Sequence, residues 1–192
     1  MQSRICRCLI AGVVLVSTTF GLAVAQPAAK KAAVRSGIKM TEAQVIAFSE
    51  GAARLDDLQR IAQEAITKLA QDARAAGLTP LPQYGLEIDL PQTMDGSTMV
   101  AWEARVPVVN EVPQGGNAGG VKVKALEPTK VAYTFHQGGF EGAELTLQLL
   151  IGYIMQNGQL PGQKIAFVAQ TDPQTTKVED LILELRVAVQ AG

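Results

Sequence analysis

The chain has 192 residues, a formal net charge of −1 and a pI of about 5.9. This length suits one compact domain of two halves. Because the chain has no long basic run and is slightly acidic, the sequence argues against a protein that binds the phosphate backbone of a nucleic acid.

Residues 1–25 have the features of a secretory signal peptide. Arg4 and Arg7 form a basic start, and the apolar run at 9–16 is too short to span a bilayer. The Ala-Val-Ala sequence that ends at Ala25 fits a cleavage site. We therefore expect a periplasmic or secreted protein without stable membrane insertion after cleavage, and an uncleaved anchor is the alternative.

Both cysteines, Cys6 and Cys8, lie in this predicted leader. The mature chain would therefore contain no disulfide and no thiolate metal site. Without Arg4 and Arg7, the mature chain carries 15 basic and 18 acidic residues, a net charge of about −3. Residues 26–36, which are rich in Ala and Lys, are predicted to form a disordered lead into a domain at 37–192.

The first half of that domain, residues 37–109, shows one helical pattern among several strand patterns. The helix has apolar residues at i, i+3, i+4 and i+7, and Gly77 and the prolines that follow are predicted to end it. The predicted elements are a strand at 38–40 and 44–48 that is interrupted once and ended by Gly51, a helix at 55–76, an edge or half-buried strand at 86–90, and a long strand at 99–109.

A glycine-rich linker at 110–120 leads to the second half, residues 121–189. No Lys-Ser or Lys-Thr follows these glycines, so a phosphate-binding loop is disfavoured. The predicted elements are strands at 121–123 and 130–135, a helix at 141–157 that Gly158 and Pro161 end, a strand at 165–169, a turn at 171–173, and a strand at 181–189.

A repeated motif indicates that the two halves are related. The pattern Glu-x-Arg-Val-x-Val occurs at 103–108 and again at 184–189, and Gly77 and Pro80 recur as Gly158 and Pro161 at the same offset. Such a repeat predicts an internal duplication. The predicted fold is α+β, a pseudo-two-fold pair of strand–helix–strand–strand units.

Strand alternation places one acid and one base of each motif on the same face. Glu103 and Arg105, and likewise Glu184 and Arg186, are predicted to face away from the helix of their own half. If these faces meet, both pairs line a cleft between the repeats that could hold a small molecule. Alternatively, the pairs are simple salt bridges. Aromatic residues of the second half favour a site at the second pair: Tyr133, Phe135, Phe140, Tyr153 and Phe167.

Four stretches resemble the GyrI-like small-molecule-binding domain, which is the effector-binding domain of AraC-type and MerR-type regulators such as BmrR. They are the strand at 103–108 that ends in Pro-Val, the strand and glycine corner at 130–140, the turn at 171–173, and the closing strand at 181–189. The resemblance implies two repeats, with an amphipathic or cationic compound bound in the cleft between them.

The sequence departs from this family at two places. The family's Glu-x-Tyr, whose glutamate faces the pocket, is replaced by Phe167 and Ala169, and Ala188 replaces the proline of the closing strand. An acidic role would then fall to Glu184 or Glu103, which follows from strand alternation and not from the family. The chain also shows no DNA-binding segment, which argues against a transcription regulator.

We therefore expect an exported, non-enzymatic protein that binds a small amphipathic or cationic molecule and needs no cofactor. The alternatives are a hydrolase of a reactive electrophile, in which Tyr133 or Tyr153 supplies a hydroxyl beside Glu184, and a protein-interaction module of the cell envelope. No catalytic or metal residue is predicted. The predicted ligand-binding residues are Glu184, Arg186, Glu103, Arg105, Tyr133, Phe140, Tyr153 and Phe167.

Three expectations concern single side chains. His136 is the only histidine and is predicted to be structural rather than a metal ligand. Trp102 is predicted to face the helix and to pack in the core. Glu184 is predicted to be more buried than Arg186 and to have a raised pKa, because its strand neighbours are apolar and arginine can extend towards solvent.

Overall fold

The computed structural model describes residues 36–91, 95–140, 142–173 and 175–191. The predicted signal peptide and all but the last residue of the predicted lead lie outside these ranges. Within them, neither helix combines the length and the hydropathy that a membrane span requires.

The described residues form nine strands and two helices. A 3-10 turn at Leu55–Asp57 precedes the first helix, so that helix begins three residues later than predicted. The elements are β1 (Gly37–Met40), β2 (Gln44–Arg54), α1 (Leu58–Ala75), β3 (Gly85–Asp89), β4 (Met99–Val108), β5 (Asn117–Ala118), β6 (Val121–Leu126), β7 (Lys130–Gln137), α2 (Ala143–Gln156), β8 (Gln159–Ala169) and β9 (Ile182–Ala191).

All nine strands join one antiparallel sheet in the order β1-β7-β9-β8-β3-β4-β2-β6-β5. If the short β5 is left out and β1, β2, β3 and β4 are exchanged with β6, β7, β8 and β9 respectively, the result is the same strand order read from the opposite edge of the sheet. At its centre Leu86 of β3 pairs with Phe167 of β8, which is 81 residues further along the chain. A local two-fold axis between related halves requires such a pairing of equivalent residues, and the sequence motif repeats at the same offset.

Each half has two strands before its helix, so the predicted strand–helix–strand–strand unit is one strand short, whereas the two separate strands predicted at 121–123 and 130–135 are confirmed. The interruption of the first strand is correctly placed, but its two parts pair in different halves: β1 with β7, and β2 with β4 and β6. Likewise β6 pairs with β2 of the first half, whereas β7 pairs with β9. Each half therefore adds its first strand to the sheet of the other half.

These crossings force the sheet to curl. In a flat sheet, the six strand spacings between β1 and β2 would cover about 29 Å. The chain between Met40 and Gln44 spans at most about 15 Å, at about 3.8 Å for each Cα step. The crossing segments, which are residues 41–43 between β1 and β2 and residues 127–129 between β6 and β7, contact each other. The amide of Thr41 donates to the carbonyl of Thr129 at 2.8 Å, and the amide of Thr129 donates to the Thr41 hydroxyl at 2.8 Å.

The core lies between the two helices and one face of the sheet. The helix stripes predicted from the sequence are buried there, with Ile66, Leu69 and Ala73 on α1 and Leu147, Leu150 and Ile154 on α2. The predicted strand faces are also confirmed, since the following residues of β4 and β9 contribute to this core: Val100, Ala104, Val106, Val108, Leu183, Leu185, Val187 and Val189. Neither of the two described helices lies on the other sheet face, which is the concave side of the curl.

Gly51 does not end its strand, because β2 continues to Arg54. A Cβ atom on Gly51 would lie 2.4 Å from the Trp102 ring, and Gly51 pairs directly with Trp102. The glycine therefore makes room for an indole that packs partly buried against the core, as predicted for Trp102. The Trp102 Nε1 and the buried Thr134 hydroxyl have no hydrogen-bond partner within the described residues.

One prediction about the strands is confirmed in one of its two alternatives, and another is wrong. Residues 86–90 are predicted as an edge or half-buried strand, and β3 is half-buried; it is a central strand between β4 and β8 and not an edge strand. Pro161 lies inside β8 instead of ahead of a strand that begins at 165. Because proline cannot donate a ladder hydrogen bond, it lies where the β8 register shifts, between Pro161 and Ile165.

Candidate functional site

The face with the helices carries a cleft between α1 and the middle of the sheet, which we call the helix-side cleft. Its volume is about 420 Å³, within the range of small-molecule sites. It is lined by Gln59, Ala62, Gln63, Ile66 and Thr67 of α1, Tyr84, Gly85 and Leu86 at β3, Phe140, Phe167, Ala169, Pro173, Leu181 and Leu183.

The segment between β7 and α2 forms one wall of this cleft and is fixed to α1. The Phe140 amide donates to Gln59 Oε1 at 3.0 Å, and the Phe140 and Phe167 rings meet edge to face at 4.8 Å. A Cβ on Gly139 would approach Val178 to 2.9 Å and Gln59 to 3.0 Å. The glycine corner seen in the sequence therefore allows the close approach that positions Phe140.

His136 holds the same corner from the other side. Its Nε2 lies 2.9 Å from the Gly139 carbonyl and its Nδ1 lies 3.0 Å from the Thr146 hydroxyl. A neutral ring that donates from Nε2 accepts at Nδ1, so both nitrogens are used. This supports the structural role predicted for His136. A search of the described residues finds no group of three or more His, Cys, Asp or Glu that could hold a metal.

None of the described lining residues of the helix-side cleft is charged. Its polar groups are the amides of Gln59 and Gln63, the Thr67 hydroxyl and the Tyr84 hydroxyl. The two family positions that the sequence singled out, Phe167 and Ala169, both lie in this lining. At the positions where the sequence resemblance would place a carboxylate and a phenol, this chain presents a phenyl ring and a methyl group.

The concave face of the curled sheet holds a second depression, which we call the trough. Its volume is about 320 Å³. The crossing segments close one end of it with Thr41, Glu42, Glu127 and Thr129, and its walls combine apolar and charged side chains: Ile46, Pro107, Leu126, Val131, Ala166, Val168, Ala188, Glu87, Arg105, Lys164 and Arg186.

Both repeated acid–base pairs lie on this concave face as ion pairs. Arg105 Nε donates to Glu103 at 2.5 Å and its Nη2 contacts Glu87 at 2.6 Å, while Lys124 contacts Glu103 at 2.6 Å. Desolvation raises the pKa of Glu103, but hydrogen bonds and charge from Lys124 and Arg105 outweigh it and leave the pKa below its usual value.

Glu184 is the counterpart of Glu103 and is the more deeply buried carboxylate. Arg186 donates to it from Nε at 2.9 Å and from Nη2 at 3.3 Å, Lys39 contacts it at 2.5 Å, and Gln170 donates to it at 3.2 Å. Desolvation again raises its pKa, and hydrogen bonds from Arg186 and Lys39 outweigh this and lower the pKa overall.

The raised pKa predicted for Glu184 is therefore wrong, although its greater burial is right: its side chain is 4% exposed and that of Arg186 is 18% exposed. Arg186 folds back onto the carboxylate and does not extend to solvent. Lys39 adds a second cation, and it comes from β1, which the first half contributes to the sheet of the second half.

The eight predicted ligand-binding residues do not share one site. Phe140 and Phe167 line the helix-side cleft, whereas Arg105 and Arg186 line the trough. Glu103 and Glu184 are buried in the ion pairs beside the trough, and Tyr133 lies on the same face with Lys39 4.5 Å above its ring. Tyr153 packs against the core from α2 and lines neither depression.

Sequence reasoning missed the residues that connect these groups across distant strands. Lys39, Lys124 and Glu87 complete the ion pairs, and Gln59 fixes Phe140. The 81-residue offset could have identified one of them, since Gln59 and Phe140 are separated by that offset. No sequence pattern marks the other three.

No family model and no curated protein matches this chain. Solved structures do match. The C-terminal domain of EcmrR matches with a TM-score of 0.67 at 13% identity, over 83% of this chain and 99% of that one. In a structure of EcmrR bound to DNA the match covers 83% of this chain and 58% of the other, with a TM-score of 0.68 at 14% identity.

A hydrolase encoded by lin2189 from Listeria innocua matches with a TM-score of 0.61 at 14% identity, over 81% of this chain and 92% of that one. These likenesses show that the chain has the α+β fold of GyrI-like small-molecule-binding domains, as the sequence resemblance predicted.

Proposed function

We propose that the domain binds a small, uncharged amphipathic molecule in the helix-side cleft. The observation that carries this proposal is the lining itself, which combines aromatic and aliphatic walls with a few uncharged polar groups. Small-molecule sites generally have this composition. The fold shared with effector-binding domains is consistent with such a role.

The cationic ligand expected from the sequence is not part of this proposal. No described residue of the cleft lining supplies a carboxylate. Glu103, Glu184 and Glu87 lie on the other sheet face, and each of them already contacts two cationic side chains. A cationic ligand would have to displace an existing partner to reach any of them.

The hydrolase alternative has little geometric support. It required a tyrosine hydroxyl beside Glu184, but the hydrogen bonds and ion pairs of Glu184 within the described residues come from Arg186, Lys39 and Gln170. Tyr153 lies on the helix side of the sheet, opposite that carboxylate. We further propose that the protein is exported, which rests only on the sequence of residues 1–25.

A fluorescence titration tests the binding proposal. N-Phenyl-1-naphthylamine is an uncharged probe that fluoresces in apolar surroundings. We expect the wild-type protein to bind it, Ala169→Phe to weaken binding by about tenfold or more because the new ring fills the cleft, and the control Ala101→Phe on the exposed surface to have little effect. Equal binding by both variants and the wild type would refute the site.

One observation favours interaction with a protein as a second function. Leu145, Leu149 and Met155 of α2 are more than half exposed, and none of them lines the cleft. Within α2 the only charged residue is Glu144. Because this surface is almost uncharged, it would not repel a second copy of the chain, and we propose symmetric self-association there. Sedimentation of Leu149→Glu should show only monomer; an unchanged distribution would refute this.

A further inference from the structure

The trough is the second depression of this fold, and it differs chemically from the helix-side cleft. We propose that it binds a small organic carboxylate with an apolar body, and that the Arg105 and Arg186 guanidinium groups receive the carboxylate. This site lies on the opposite face of the sheet from the cleft and does not depend on the function proposed there.

The unused hydrogen-bond donors of the two arginines carry the proposal. A guanidinium group has five N–H donors. Arg105 uses Nε for Glu103 and Nη2 for Glu87, and Arg186 uses Nε and Nη2 for Glu184. Neither Nη1 has a partner among the described residues, and both side chains line the trough. Arginine donors that remain free in a depression suit a carboxylate.

The charge balance of the ion-pair network also favours an anion. Three carboxylates, Glu87, Glu103 and Glu184, are surrounded by five cationic side chains: Arg105, Arg186, Lys39, Lys124 and Lys164. Each carboxylate contacts two of these cations, so the network has two more positive charges than negative ones. Lys164 is 60% exposed, and two further acids, Glu42 and Glu127, lie on the exposed rim. Water and salt screen these three charges, so the less exposed groups, four cations and three carboxylates, leave one positive charge in excess.

One difference between the two halves makes Arg186 the stronger candidate. Glu87 of β3 pairs with Ala166, and its counterpart 81 residues later is Val168. Among the described residues, Arg105 therefore contacts two carboxylates, whereas Arg186 contacts only Glu184, which it shares with Lys39. The side of the trough at Arg186 has less compensating negative charge.

The remaining walls define the body of the ligand. Ile46, Pro107, Val131, Val168 and Ala188 form an apolar surface towards the closed end of the trough. A volume of about 320 Å³ accommodates a two-ring or short-chain acid but not a macromolecule. An apolar body would contact this surface while the carboxylate reaches the guanidinium groups.

Calorimetric titration with 2-naphthoate tests the site, and 2-naphthalenemethanol is the uncharged analogue. We expect the wild-type protein to prefer the acid by about tenfold or more, since hydrogen bonds between charged groups are stronger than neutral ones. Arg186→Gln should weaken naphthoate binding by about tenfold to a hundredfold. Lys122→Gln is the matched control, because it removes one positive charge from the same sheet face at a residue that does not line the trough. It should change naphthoate binding by less than about twofold.

Two further variants separate the trough from the cleft and keep every ion-pairing side chain. Ala166→Leu fills the floor of the trough and should abolish naphthoate binding, whereas Ala169→Phe fills the cleft and should leave it unchanged. The proposal is overturned if the wild-type protein does not bind naphthoate at millimolar concentration. It is also overturned if Ala169→Phe abolishes binding or if Arg186→Gln and Ala166→Leu bind as the wild type does.

Discussion

Replacing Glu184 by glutamine should destabilise the fold, because this carboxylate is almost fully buried and balances two cations. Loss of one partner from a buried ion pair costs about 3–5 kcal/mol, since the other charge stays buried without compensation. Here the Lys39 side chain is 37% exposed and can turn to water, while Arg186 is 18% exposed and cannot leave as easily. We therefore expect a loss of about 2–3 kcal/mol in the free energy of unfolding.

Thermal and urea unfolding monitored by circular dichroism would measure this change. For a domain of this size, the expected loss lowers Tm by about 5–10 °C. Glu50→Gln is the matched control, because Glu50 also pairs with a lysine on this sheet face but both side chains are more than half exposed. We expect the control to change stability by less than about 1 kcal/mol. Equal effects of the two substitutions would refute the role assigned to the buried network.

Two further predictions concern pH and packing. The pKa values of Glu103 and Glu184 are lowered in the folded state, so the stability that these ionised carboxylates contribute is complete above the usual value of 4.5 and is lost as pH falls through the lowered values. The free energy of unfolding should therefore fall more steeply below about pH 4.5, and the fall should be smaller in Glu184→Gln. An equal dependence of stability on pH in the wild type and in Glu184→Gln would contradict this assignment. Gly51→Ala places a methyl group against Trp102 and should lower the free energy of unfolding, measured in urea, by about 1–3 kcal/mol. The control Ala52→Val, at the exposed neighbouring position, should leave the free energy of unfolding nearly unchanged. No loss of stability in Gly51→Ala would show that the indole can move aside.

Local periodicity explains what the sequence could predict. The stripes of α1 and α2 and the alternation of β4 and β9 depend only on spacing within one element, and the structure buries the expected faces. The shared offset of Leu86 and Phe167 likewise follows from one repeat distance. These features need no knowledge of which strands become neighbours.

The charges around Glu184 could not be predicted in the same way. Its pKa depends on Lys39, which reaches it only because β1 crosses to the sheet of the other half. A three-residue interruption in a strand does not reveal where its two parts pair. The same crossing curls the sheet and so creates the trough. Arg186 and Phe167, which the sequence had assigned to one cleft, lie on opposite sheet faces because Phe167 pairs with Leu185, the strand neighbour of Arg186.

The central claim is that an uncharged amphipathic molecule binds on the helix side of the sheet. Methyl-selective NMR with N-phenyl-1-naphthylamine tests it directly, because methyl groups report from both depressions. The probe should shift the methyl resonances of Ile66 and Leu183, which line the cleft, and should leave those of Ile46 and Val131 in the trough unchanged. Shifts confined to Ile46 and Val131, or no shift in either depression at saturating probe, would contradict it.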